Sequence, residues 1–319
     1  VQRSLGRQLR KLPGHVHTII ASSEHFHSRL GSVEEVARLR ELFAPYVDDT
    51  EIICYLRNQA DTVVSLYSTA LKGGATLDLD TFIETKCEAD GHYFNYDQFI
   101  GKWEQVYGQE SINLRIFSKD CFINNDLLDD FLAQIDPQLS TILNKAVEVK
   151  NESINHLAQA LARSINRHIP LFIKGAGSNA DNTYLKDMIT NRSPGKGLGL
   201  SPARHEEISS WFTQSNENVR QRYFPGRVAL FDTKQAPDEN RMLSSEQEAM
   251  LDDVVSYLVK RNVGRPQRKE AFRSRYANSL KRARGRLQKS NKQKAARAQA
   301  SYWQQVTLFT KGMALMSPK

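Results

Sequence analysis

The sequence lacks several things that would fix its class at once. It has no run of eighteen or more apolar residues, so no segment reads as a membrane-spanning helix. It begins Val1-Gln2-Arg3-Ser4, with neither an initiator Met nor a signal-type apolar core, and on its own terms reads as a fragment whose beginning is missing. Cysteine is scarce: Cys54, Cys87 and Cys121 are far apart, with no metal-type spacing. A sparse, odd count argues against a disulfide framework and for reduced thiols in a cytoplasmic setting. Neither a Walker A pattern nor HExxH occurs, and there is no internal repeat.

What is present is an ordinary globular composition, 40% hydrophobic and 25% charged over 319 residues, which excludes general disorder and fibrous folds. The net charge of +8 is unevenly spread. Residues 260–319 hold 17 Lys and Arg against one acid, Glu270, and the remainder holds 27 basic and 35 acidic groups. The chain is therefore a mildly acidic body, residues 1–262, with a strongly basic tail or linker, residues 263–319.

In the body, two periodicities alternate. His17–Ser22, Thr50–Leu56 and Ile112–Phe117 are short apolar runs of strand length. Ser32-Val33-Glu34-Glu35 reads as a capping box opening a helix through Phe43. Helical spacing recurs over Thr62–Lys72, which stops at Gly73-Gly74, and over Tyr96–Tyr107, Leu127–Ile135, Asn151–Arg167, His205–Tyr223 and Ser244–Arg261. Gly175–Pro202 reads as a long loop. Strands alternating with helices predict an α/β fold, with a parallel sheet covered on both faces. In the tail, a thin apolar stripe within Arg268–Arg297 predicts a basic, solvated helix or a linker.

Chemistry concentrates in Tyr55-Leu56-Arg57-Asn58-Gln59-Ala60-Asp61-Thr62-Val63-Val64-Ser65-Leu66-Tyr67. A buried strand ending at Leu56 places Arg57 at the carboxyl edge of the sheet, where α/β proteins bind ligands. A helix follows, so unpaired N–H groups and a positive dipole end lie beside the guanidinium, and Ser65 falls in its first turns. An Arg fork, a hydroxyl and a helix N-terminus together suit a phosphate. The alternative is that Arg57 pairs with Asp61 or another acid and Ser65 only packs.

This stretch resembles the 3′-phosphate-binding segment of sulfotransferases: a strand, Arg-Asn, Asp, then Ser eight residues after the Arg and Tyr two further on. Arg57, Asn58, Asp61, Ser65 and Tyr67 match, while the proline expected after Arg-Asn is Gln59. A weaker likeness, to the bacterial and glycan-modifying branches, runs from His17 to Asp232. The resemblance implies a three-layer α/β/α fold of the P-loop nucleotide-binding type. It also implies sulfuryl transfer from 3′-phosphoadenosine 5′-phosphosulfate (PAPS), as co-substrate and without a metal, to a hydroxyl of a glycan or other small acceptor. Arg57 and Ser65 would hold the 3′-phosphate. Glu24, just after the first apolar run, would be the base, with His25 as the alternative. Pro194-Gly195-Lys196-Gly197 maps onto the family's late Lys-Gly loop, so Lys196 and Gly197 would close over the nucleotide.

Two departures matter. The family holds the 5′-phosphosulfate in a loop containing Lys or Arg, Gly, Thr and Thr after its first strand, and Val1–His17 contains none. Little activity is therefore expected of these 319 residues alone. His15, His17, Glu24, His25 and His27 form a loose cluster, but its spacing fits no known metal motif. The other functional class is a non-catalytic sulfotransferase-like protein or polyanion binder. Its contact with nucleic acid or an acidic glycan would run through residues 265–297, without sequence preference.

Overall fold

The computed structural model describes residues 2–143, 154–173, 177–192, 195, 197–232 and 243–263. The basic tail from 264 onward and Lys196 lie outside them. The chain divides into two compact units, one of Val1–Ala21, Phe131–Ala146 and Leu258–Lys319, the other of Ser22–Asp130 and Val147–Tyr257. The first unit contains helix α1 (Gln2–Leu9) and the short α8 (Leu139–Ile142). Glu24, His25, Arg57, Ser65, Lys196 and Gly197 belong to the second.

The second unit opens with α2 (His25–Ser28) and α3 (Val33–Phe43), followed by β1 (Ile52–Leu56), α4 (Gln59–Lys72), α5 (Leu79–Lys86), α6 (Tyr96–Tyr107) and β2 (Ile112–Ile116). Next come α7 (Leu127–Ile135), whose last turn passes into the first unit, and α9 (His156–His168), a small antiparallel ribbon of β3 (Phe172–Ile173) and β4 (Gly177–Ser178), and α10 (Ala180–Arg192). The helices α11 (Pro202–Ser210), α12 (Thr213–Tyr223) and α13 (Ser245–Val263) complete the described chain.

The architecture is mixed α/β around a small sheet: β1 and β2 run parallel, in register from Ile52↔Ile112 to Leu56↔Ile116. Their apolar side chains and those of α6, among them Leu56, Ile100, Trp103 and Ile116, form one core with Val36 of α3 and Val219 of α12. A second core gathers the inner face of α4 (Ala60, Val63, Leu71) with Phe82 of α5, Ile208 of α11 and Phe212.

Several local readings hold for the expected reasons. The capping box is complete: Glu35 N–H donates to Ser32 Oγ, and Ser32 N–H donates to Glu35 Oε2. α4 ends at Gly73-Gly74. Gly74 has φ +99°, and a Cβ there would lie 3.0 Å from Leu171, so both conformation and space ask for glycine.

Other readings are corrected. His17–Ser22 is not a strand: no neighbour pairs with it among the described residues, and Ile19 and Ile20 are 37% and 51% exposed. An apolar β-branched run becomes a strand only when a partner accepts its backbone groups. The segment expected as one helix over His205–Tyr223 is two, α11 and α12, broken at Trp211-Phe212 where Phe212 turns inward and is 1% exposed. The expected loop Gly175–Pro202 contains α10, whose Asn182 and Lys186 sides are buried although the helix has no apolar stripe. Asn182 Nδ2 donates to Ile169 O and Asn166 Oδ1, and Lys186 Nζ to Lys72 O, so polar contacts take the place of the usual periodicity.

Candidate functional site

The site grows from the turn between β1 and α4. Leu56 O accepts from Phe117 N–H at 2.6 Å, which keeps the strand paired to its last residue. The next carbonyl, that of Arg57, accepts from the Tyr96 hydroxyl at 2.6 Å, and burial pushes that phenol well above its ordinary pKa. Asn58 is the N-cap of α4, its Oδ1 accepting from Ala60 N–H at 2.9 Å. Its Nδ2 donates to the Ser209 hydroxyl at 3.2 Å, and that hydroxyl donates to His205 O at 2.8 Å.

Gln59, the first residue of α4, is fully buried. Its Nε2 donates to Phe94 O at 3.2 Å and to Asn216 Oδ1 at 2.8 Å, and its Oε1 accepts from Asn216 Nδ2 at 3.1 Å. Asp61, one turn on, lies 3.3 Å from His205 Nε2 of α11. A pairing of Arg57 with Asp61 is thus not what the structure contains.

The Arg57 guanidinium lies 5.8 Å from the centroid of the Phe117 ring, which is 40% exposed. Among the described residues no carboxylate forms an ion pair with it. Ser65 is exposed on the face of α4 that also bears Asp61, and its carbonyl accepts from the Thr69 hydroxyl. The Ser65 hydroxyl has no hydrogen-bond partner among the described residues. The segment thus carries a guanidinium before the positive end of α4 and, two turns into the helix, an exposed hydroxyl. Tyr67 is structural here: it is 1% exposed and donates to Leu77 O.

Glu24 and His25 are exposed at the start of α2. His25 N–H donates to Ser23 Oγ, and Glu24 O accepts from Ser28 Oγ. No contact joins either side chain to Arg57 or Ser65. What pins α2 is His27, which sequence reasoning counted only in the histidine cluster. Its ring stacks on Tyr93 at 4.1 Å and meets Phe99 edge-on at 4.6 Å. Its Nε2 lies 2.9 Å from Tyr93 O; since a carbonyl only accepts, that nitrogen carries the proton. Burial holds the ring at about 4, so it is neutral at pH 7.

Gly197 was expected to let backbone approach a phosphate. In the structure it is Gln159 that comes close, its Nε2 lying 2.3 Å from where a Cβ would stand and its Oε1 accepting from Leu198 N–H. Lys196 is outside the described residues. Among the described residues, no three His, Cys, Asp or Glu side chains lie together as a metal would need, and no helix is long and apolar enough to cross a membrane.

Next to the turn lies a second polar cluster that the sequence did not announce. Asp130, fully buried, accepts from Arg115 Nε (3.0 Å) and Nη2 (2.5 Å), from the Tyr55 hydroxyl (2.7 Å) and from Ile123 N–H (3.1 Å). Burial alone would push this carboxyl up, but the Arg115, Tyr55 and Ile123 hydrogen bonds outweigh it and hold it below the ordinary range.

An uncharacterized protein of Archaeoglobus fulgidus is 26% identical to the chain over 208 residues, which are 65% of this chain and 54% of that protein. The chain thus spans about half the length of the relative it matches. No protein-family model matches the chain, and no solved structure matches it.

Proposed function

We propose that the chain belongs to a PAPS-dependent sulfotransferase of the three-layer α/β/α, P-loop nucleotide-binding type, and that its β1–α4 turn holds the nucleotide's 3′-phosphate. One observation carries this reading: Arg57 directly follows β1, its guanidinium unclaimed by any carboxylate among the described residues, and leads into the N-terminus of the helix that exposes the Ser65 hydroxyl. A cation kept out of ion pairs at such an edge suits an external anion.

In the proposed reaction the acceptor's hydroxyl oxygen bonds to sulfur as the bond from sulfur to the phosphate oxygen breaks. The electron pair leaves with adenosine 3′,5′-bisphosphate, and the acceptor proton goes to a base, Glu24 or His25. The acceptor is a carbohydrate or other small hydroxyl compound, by family analogy. Lys196 and Gly197 close the nucleotide site in the same analogy. The residues that would stabilise the leaving 5′-phosphate have no counterpart in this sequence, so the chain by itself is expected to bind nucleotide and to turn it over little.

Calorimetry with adenosine 3′,5′-bisphosphate tests the reading. Arg57→Ala is expected to weaken binding by roughly 1.5–3 kcal/mol, the range for a hydrogen bond to a charged group. Unchanged affinity in the variant, or equal affinity of the wild type for adenosine 5′-monophosphate, sinks it. A second reading rests on the basic residues 265–297 as a polyanion contact. Deleting 264–319 would then abolish salt-sensitive binding to heparin-like or nucleic-acid polymers and leave nucleotide binding intact.

A further inference from the structure

The turn that holds Arg57 departs from the sulfotransferase pattern at one residue, the glutamine where a proline is expected. A proline at the first helical position fixes φ near −65° and needs no partner for a missing N–H. Gln59 supplies no such restraint from its backbone. Its side chain instead reaches into the interior and meets Asn216, in the first turn of α12, through two hydrogen bonds between their amides.

The orientation of this pair is determined. Phe94 O can only accept, so Gln59 Nε2 must face it, and Gln59 Oε1 is left to accept from Asn216. Both Nε2 hydrogens and the Oε1 of a fully buried side chain are thereby used. Two residues upstream, the Tyr96 hydroxyl fixes the Arg57 carbonyl. The backbone carrying Arg57 is held on both sides, while its guanidinium has no carboxylate partner among the described residues.

We propose that Gln59 and Asn216 form a positioning pair that aims Arg57 and thereby sets the preference for a 3′-phosphorylated nucleotide, an inference that rests on the reading of the β1–α4 turn as a 3′-phosphate site. Neither residue touches the ligand. Their effect reaches it through the turn's conformation, so it falls on the 3′-phosphate contact and not on the rest of the nucleotide.

The test compares affinities for adenosine 3′,5′-bisphosphate and adenosine 5′-monophosphate, by calorimetry on the full chain. Gln59→Met keeps the side-chain length and removes its hydrogen bonds. It is expected to weaken bisphosphate binding about tenfold and leave the monophosphate unchanged, by loss of an aimed charged hydrogen bond. The exchanged pair, Gln59→Asn with Asn216→Gln, conserves the combined length and restores the wild-type ratio. If Gln59→Met does not fold, Asn216→Ala on the partly exposed side of the pair carries the same comparison. A variant that melts earlier yet keeps the wild-type ratio overturns the inference and leaves a structural clamp. Loss of the ratio that the exchanged pair does not recover overturns it too. A wild type that never distinguishes the two nucleotides overturns the 3′-phosphate reading itself, and this inference with it.

Discussion

Two arginines stand near Tyr55 at the parallel sheet, and their surroundings are opposite. Arg115 of β2 stands in register with Tyr55, its guanidinium held in a fork by the buried Asp130, which also accepts from Tyr55 and from a backbone N–H. Arg57, two residues beyond Tyr55, has an aromatic ring for company and no carboxylate among the described residues. The sequence around Arg57 offers an acid at a convenient spacing, Asp61, yet that acid is engaged by His205 from α11. A structural arginine is given a buried counter-ion and becomes part of the packing. Arg57 is left without such a counter-ion among the described residues, as the proposed anion site requires.

That contrast can be broken most sharply at Asp130. Asp130→Ala strips Arg115, Tyr55 and Ile123 N–H of their shared acceptor and is expected to cost about 3 kcal/mol, read from the urea midpoint at constant slope. Acid makes the same attack without mutation. Because the folded state holds the Asp130 carboxyl below its ordinary value, its contribution is complete above the usual carboxylate range and fades as pH falls below it. Asp130→Asn should flatten that part of the stability curve, and an unaltered slope would assign acid sensitivity to other carboxylates.

The contrast can also be erased from the other side. Phe117→Glu places a carboxylate beside Arg57, making it resemble Arg115. Calorimetry should then show adenosine 3′,5′-bisphosphate binding about fivefold weaker, the upper end for an exposed ion pair, with little change in melting temperature. The smallest effect is expected from Arg57→Ala on stability, within about 0.5 kcal/mol, because only the contact with the exposed Phe117 ring is lost. A loss as large as that of Asp130→Ala would place Arg57 in the packing and end the distinction.

How much of this was legible beforehand follows from the range of each interaction. Elements written in local pattern, such as the capping box at Ser32 and Glu35, the α6 stripe and the β1 run ending at Leu56, were readable because their causes lie within a few residues. His17–Ser22 was misread because a strand is defined by its neighbour, and propensity names no neighbour. α10 was missed because its buried side carries Asn182 and Lys186, which hydropathy counts as solvent-facing. The Arg57 and Ser65 positions could be named, but the groups that hold their turn could not. Gln59 looked like an imperfection in a motif until Asn216 stood opposite it, and His27 like a spare histidine until Tyr93 and Phe99 enclosed it.

The partners of the Arg57 turn have one more property, their distance along the chain. Phe94 and Tyr96 follow their contacts by 35 and 39 residues, whereas His205, Ser209 and Asn216 follow theirs by 144, 151 and 157. Contacts of such separation form only after the intervening polypeptide has found its place. During synthesis at about 5–20 residues per second, Gln59 is made roughly 8–30 s before Asn216. The β1–α4 turn is thus finished by a late-made part of its own unit, and a nascent chain stalled before α12 would carry β1, α4 and Arg57 with the turn still unset.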